Sequence, residues 1–143
     1  MTVRAILDEK GHDVVTLDPS ATVEEAARLL REKRIGAVIV TKGDKRILGI
    51  LSERDIVRAI GEAGAEALQL TVDKVMTAKV NTCRESHTVN EVMEIMTRGR
   101  FRHLPVEKDG SLYGIVSIGD VVKRRIEDVE REAQEIRTYI ATA

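Results

Sequence analysis

The sequence predicts an α+β fold of mixed helix and strand. Two β-α-β-β-α units pack with pseudo-twofold symmetry and are followed by a long C-terminal helix. Three observations carry this prediction. The chain repeats itself, each copy alternates strand-like and helix-like stretches, and the last stretch keeps an unbroken heptad pattern. The boundaries that follow are 1–70 for the first unit with its N-terminal lead-in, 71–126 for the second, and 127–143 for the helical extension.

The repeat is read directly. At a shift of 66 positions, Val14 and Thr16 fall on Val80 and Thr82. Ser20, Thr22, Val23 and Glu25 fall on Ser86, Thr88, Val89 and Glu91, and Arg34, Val40 and Lys42 fall on Arg100, Val106 and Lys108. One residue drops out in the next turn. At a shift of 65, Gly49, Ile50, Ser52, Asp55 and Val57 then fall on Gly114, Ile115, Ser117, Asp120 and Val122. Unrelated segments of this length and ordinary composition share only about 3 identities. The lead-in repeats as well: Thr2-Val3-Arg4-Ala5-Ile6-Leu7 resembles Thr71-Val72-Asp73-Lys74-Val75-Met76.

Each element has a local reason. Val14 to Leu17 is a short strand. Thr22 with Glu25, and Thr88 with Glu91, are capping boxes that open helices. Val23, Ala26, Ala27 and Leu30, like Val89, Val92, Met93 and Met96, recur at helical spacing. Ala37 to Val40 is a buried strand. Lys42-Gly43-Asp44-Lys45 turns the chain, and Asp109-Gly110 is its stronger counterpart, a hairpin signal. Ile47–Leu51 and Leu112–Val116 return, and a second helix starts after Ser52 and after Ser117. Neither unit buries its faces alone, so the two pack on each other.

The last helix does not stop where its counterpart does. Val122, Ile126, Val129, Ala133, Ile136 and Ile140 form a heptad seam, and Glu127–Arg131 adds an i,i+4 ion pair on its flank. Such a stripe either packs back on its own domain or meets a partner helix. The charges on all other faces favour a partner, most simply in a homodimer.

Composition narrows the function. The 143 residues carry 23 basic and 24 acidic side chains, which gives no electrostatic case for nucleic acid or an anionic membrane. Phe101, Tyr113 and Tyr139 are the only aromatics, too few for a base-stacking surface. No apolar run is long enough to span a membrane, and no signal-peptide pattern opens the chain. The single Cys83 excludes an internal disulfide, and a cytoplasmic location is expected. His12, His87 and His103 show no metal-ligand spacing. Phosphate-loop, dinucleotide and nucleophile-elbow motifs are missing. Cys83 has no histidine beside it in sequence, so no enzyme is expected.

The informative constellation is strand, Gly-Ile-x-Ser-x-x-Asp, helix, present twice. Ser52 with Asp55, and Ser117 with Asp120, can simply cap their helices. The same geometry also suits a ligand. A helix N-terminus offers free N–H groups beside a serine hydroxyl, and an aspartate there can take two vicinal ribose hydroxyls. Gly49 and Gly114 would let that ligand approach the backbone. Arg102 and His103, just ahead of a buried strand, suit a phosphate or are merely solvated. The first unit has Gly36-Ala37 there, so the two sites differ and the phosphate is expected in the one with Asp120.

These residues resemble a tandem pair of CBS domains, the cystathionine-β-synthase-type regulatory module. The likeness rests on Gly49–Asp55, Gly114–Asp120, Arg102-His103-Leu104-Pro105-Val106 and Lys74-Val75-Met76-Thr77, and runs from Thr2 to about Arg125. It implies a binding module rather than a catalyst, one that takes an adenosine-containing ligand such as AMP, ADP, ATP, NAD(H) or S-adenosylmethionine between the units. It assigns Asp120 and Asp55 to ribose, and Ser117 and Ser52 to the phosphate or ribose side. It assigns Arg102 and His103 to phosphate in the Asp120 site, completed by Thr22, Ile35 and Gly36. Thr88, Phe101 and Arg102 are their counterparts in the Asp55 site. It also implies dimers of flat discs and an effector protein outside this chain. The sequence departs from the pattern at Ile39, where the second unit has Pro105, and at Gly36-Ala37. The alternative is an assembly protein whose Ser/Asp pairs only cap helices.

Overall fold

A computed structural model describes residues 1–43 and 45–142. The chain runs α1 (Val3–Lys10), β1 (Thr16–Leu17), α2 (Val23–Lys33), β2 (Ala37–Thr41), β3 (Ile47–Ser52) and α3 (Glu53–Ala63). A 3₁₀ turn at Gly64–Gln69 leads to α4 (Val72–Val75), α5 (Val89–Gly99), β4 (His103–Lys108), β5 (Ser111–Ser117) and α6 (Ile118–Thr142). The expected turn at 42–45 includes Asp44, which lies outside the described residues. Its counterpart is formed: Asp109 and Gly110 both take positive φ, 53° and 80°, as a tight hairpin turn requires.

The two units share β-α-β-β-α order with one exception. In the first, β1 pairs parallel with β2, and β2 pairs antiparallel with β3. The second has only the β4–β5 hairpin, and its opening strand is reduced to a Cys83–Val106 bridge. Pro105 explains the loss. Its counterpart Ile39 donates its N–H to Val15 O (3.3 Å) and lengthens the ladder, whereas proline has no N–H to give. The first strand is also shorter than expected, since only Thr16 and Leu17 are paired.

The lead-ins cross over. Val3, Ile6 and Leu7 of α1 are buried in the core of the second unit, against Cys83, Val92, Met96, Leu104 and Val116. Val72 of α4 belongs to the first core, with Val23, Leu30, Val38 and Leu51. The cores therefore do not follow the 1–70 and 71–126 division. Matched hydrogen bonds clip each lead-in: Val3 N to His87 O and Val89 N to Met1 O, then Val72 N to Ala21 O and Val23 N to Leu70 O. The cause is apolar patterning. A short helix cannot stand alone in water, and each lead-in buries its stripe in the nearest unfilled core.

Gly49 and Gly114 serve this crossing rather than a ligand. A Cβ on Gly114 would stand 2.8 Å from Leu7 Cδ2, and one on Gly49 would stand 2.9 Å from the Thr77 carbonyl and collide with Met76. Leu7 and Met76 are repeat equivalents, so both glycines admit the same side of a lead-in.

Helix α6 is continuous to Thr142. Val121 and Asp128 are buried, while Val122, Ile126, Val129, Ile136 and Ile140 are between 41% and 68% exposed. The expected Glu127–Arg131 pair is not made. Arg131 instead reaches Asp128 (3.0 Å), because a buried carboxylate needs a partner more than an exposed one does.

Candidate ligand-binding clefts

Two clefts open between the units. One, of about 450 Å³, is floored by the start of α3: Ser52, Glu53, Arg54, Asp55 and Arg58. Thr77, Lys79 and Asn81 form one side, and Arg100, Phe101, Arg102 and His103 the other. The other cleft, of about 310 Å³, is bounded by Lys10, Asp13–Val15, Arg34–Ala37, His103, Ile115 and Ser117. Both volumes suit a small molecule. The repeat relates them: Ser52, Lys79, Val80, Arg100 and Phe101 occupy the places of Ser117, Lys10, Val14, Arg34 and Ile35.

Each helix start is capped as the sequence suggests. Asp55 N donates to Ser52 Oγ (3.3 Å), and Ser52 N donates to Asp55 Oδ2 (2.9 Å). Asp120 N donates to Ser117 Oγ (3.2 Å), and Ser117 N to Asp120 Oδ2 (2.9 Å). The carboxylates differ in what else they hold. Asp55 is 3% exposed and also accepts from Thr77 Oγ1 (3.2 Å), Ser52 Oγ (3.1 Å) and Arg58. Asp120 accepts from Lys10 Nζ (2.8 Å), which also donates to Ile115 O (3.0 Å). Burial pulls the Asp120 carboxyl up, but the Lys10 and Ser117 hydrogen bonds outweigh it and hold it below the usual range.

The remaining predicted residues fall as follows. Ile35 and Gly36 line the Asp120-side cleft, and Gly36 also borders the other; a Cβ there would stand 3.1 Å from the His103 ring. His103 borders both clefts. Burial lowers its pKa, with Lys10 and Arg102 adding to this against the pull of Glu53 and Asp120, so the imidazole is neutral near pH 7. Phe101 and Arg102 line the Asp55 cleft. Neither Arg102 nor Asp120 is among the residues bounding the second cleft; Asp120 lies beside it, held by Lys10, and the charges of Arg102 and Asp120 both act on the His103 ring. The backbone ties this segment to the helix start, since Ile118 N donates to Arg102 O (2.7 Å).

Thr22 and Thr88 line neither cleft. Their hydroxyls cap α2 and α5, accepting from Glu25 N and Glu91 N, and their backbones bridge Thr71 and Thr2. The reciprocal half of the capping box is present for Thr88 only. Sequence reasoning missed Arg54, Arg58, Lys79 and Arg100. Lys79 was legible as the repeat partner of Lys10. Arg54 and Arg58 lie on α3, and only the tertiary structure sets Arg100 of the second unit in the same cleft. Among the described residues no His/Cys/Asp/Glu group could hold a metal ion. Burial pushes the Cys83 thiol up to about 12, far from a nucleophile's range.

The doubled helix start and the crossed lead-ins agree with a family match that covers the chain twice, over residues 3–62 and 72–127, to the CBS domain. The chain belongs to that family. A crystal structure of a CBS-domain containing protein from Agrobacterium tumefaciens is 51% identical, covers 87% of this chain and 99% of its own, and superposes with a TM-score of 0.85. A mitochondrial CBS domain-containing protein of Arabidopsis thaliana is 37% identical over 83% of this chain and 60% of its own length. The chain spans about three fifths of the length of the curated relatives it matches. A CBS pair solved with 5′-methylthioadenosine and S-adenosyl-L-methionine shares the fold at 24% identity, with a TM-score of 0.77. The chain is thus a CBS-pair regulatory module, and no helix among the described residues is long and apolar enough to cross a membrane.

Proposed function

We propose that this CBS pair binds an adenosine phosphate (AMP, ATP or NAD(H)) in the Asp55 cleft and signals its occupancy to a separate effector protein. One observation carries the reading. Arg54, Arg58, Lys79, Arg100 and Arg102 line a cleft whose only carboxylates among the described residues are Glu53 and Asp55. Cationic groups from both units converging on one helix start are the chemistry a phosphate chain requires. An anion there would draw the units together, and the change in their relative orientation is what an effector would read. The adenosine ligands of a more distant CBS pair support the class of ligand. Phe101 and Ile50 offer the base an apolar wall.

A second reading has its own observation. Asp55 is buried with all its close partners inside the chain, as a helix cap would be, and ribose would have to displace Arg58 or Thr77. On that reading the cleft binds nothing and the protein acts by assembly. Isothermal titration with AMP, ATP, NADH and S-adenosylmethionine separates the two. The sensor reading expects saturable binding that Arg102→Ala weakens and adenosine alone does not match. Absence of heat with every ligand, backed by no ligand-induced rise in Tm, leaves the assembly reading.

A further inference from the structure

Among the described residues five charged side chains on α6, Arg125, Glu130, Glu132, Glu135 and Arg137, make no ion pair and no side-chain hydrogen bond, whereas Lys123, Arg124, Glu127, Asp128 and Arg131 all do. All but Glu135 flank the exposed apolar stripe in a set order. With Val122, Val129 and Ile136 at the d positions and Ile126, Ala133 and Ile140 at a, Glu130 and Arg137 fall at e, and Arg125 and Glu132 at g. The stripe lies about 100° round the helix from the line of Val121 and Asp128 that faces its own protomer, so it is open to a neighbour.

In two parallel, in-register helices a g side chain meets the e side chain five positions later on the other helix. Arg125 then meets Glu130 of the second copy, and Glu132 meets its Arg137, opposite charges in both cases. Antiparallel helices pair g with g and e with e. With the stripes fully overlapped, that would set Glu132 against Glu132, Glu130 against Glu130 and Lys123 against Arg137, all like charges. Charge therefore selects both the occupant and its direction.

We propose that α6 pairs with α6 of a second copy of this chain as a parallel, in-register coiled coil over Val122–Ile140, closed by Arg125–Glu130 and Glu132–Arg137 ion pairs between the copies. β-branched d residues alone favour more than two strands. Here the protomer's own body covers α6 at Val121 and Asp128, which leaves room for one neighbour on the stripe. Most of the seam lies beyond residue 127, where the family match ends, so the device belongs to this chain and not to the fold. It does not rest on the nucleotide reading.

The test uses the full chain. In the parallel pair, Ile136→Cys places each new thiol against its own counterpart. In the antiparallel pair, position 136 faces position 126 and is about 15 Å from its counterpart. Mild oxidation of Ile136→Cys should give a disulfide-linked dimer, and mixing it with Ile126→Cys should give no mixed dimer; buried Cys83 stays out of the reaction. A mixed dimer, or no linkage at all, overturns the proposal. Glu132→Arg should weaken dimerisation about tenfold at low salt, and adding Arg137→Glu should restore it. Both positions are exposed and unpartnered, so an unchanged Tm at subunit concentrations below dissociation confirms the fold. A light-scattering mass other than two chains, an unchanged dimer in Glu132→Arg, or no rescue in the double variant each overturns the proposal.

Discussion

The two clefts share a backbone and differ in their cations. Each has a serine-capped helix start and a lysine at or just past the end of a lead-in helix. Lys10 closes on Asp120, while Lys79 makes no ion pair among the described residues and leaves Asp55 to Arg58. Where the Asp55 cleft has Phe101 and Arg102, the other has Ile35 and Gly36. Duplication thus preserves the hydrogen-bonded scaffold, which backbone geometry demands of both halves. Side-chain charge is free to drift and assigns the halves different work. Five lysine and arginine side chains line the cleft at Asp55, the more buried carboxylate, whereas Lys10, Lys123 and Arg124 surround Asp120.

The largest effect should come from the close approach that both halves use. Gly49→Ala should cost about 3 kcal/mol, because the Thr77 backbone cannot give way, whereas Gly114→Ala meets only the tip of Leu7 and should cost about 1 kcal/mol. Urea unfolding of the two variants measures this, and equal losses would remove the distinction. Next is the capping carboxylate. Asp55→Ala should cost about 2 kcal/mol and Asp120→Ala about 1 kcal/mol, since Asp55 satisfies more buried donors. Thermal melts of both variants should keep that order.

Ligand affinity is the direct test of asymmetry. Arg102→Ala should weaken ATP binding about tenfold, while Arg34→Ala in the other cleft should leave it unchanged. The reverse order in titration calorimetry would move the phosphate site to Asp120. The smallest effect is electrostatic. The Asp120 pKa is lowered on folding, so its contribution is full above its unfolded value and is lost as pH falls through the folded one. Lys10→Met should therefore cost under about 1 kcal/mol at pH 7, a difference that shrinks below about pH 4. A difference that survives to pH 2 would mean Lys10 acts by packing.

Much of this was legible locally. The repeat, the capped helix starts, the Asp109-Gly110 hairpin and the unbroken α6 follow from spacing and turn chemistry within a few residues of each other. The missing strand of the second unit was legible in principle, because Pro105 stands where Ile39 donates a hydrogen bond. The site was legible only in part. Ser52, Asp55, Phe101 and Arg102 do share one cleft, while Thr22 and Thr88, which the resemblance assigns to the ligand, line neither cleft and cap α2 and α5.

What the sequence by itself determined is therefore the list of units and the start of each helix, since period, capping and turn preferences act over one or two turns of chain. The tertiary structure decided the rest. It placed α1 in the second core and α4 in the first, turned Gly49 and Gly114 into packing sites, and brought Arg100 and Arg102 across from Arg54 and Arg58. Each of these outcomes depends on which apolar face finds an unfilled core and on which charges then stand opposite one another. That is a property of long-range packing, which no local spacing encodes.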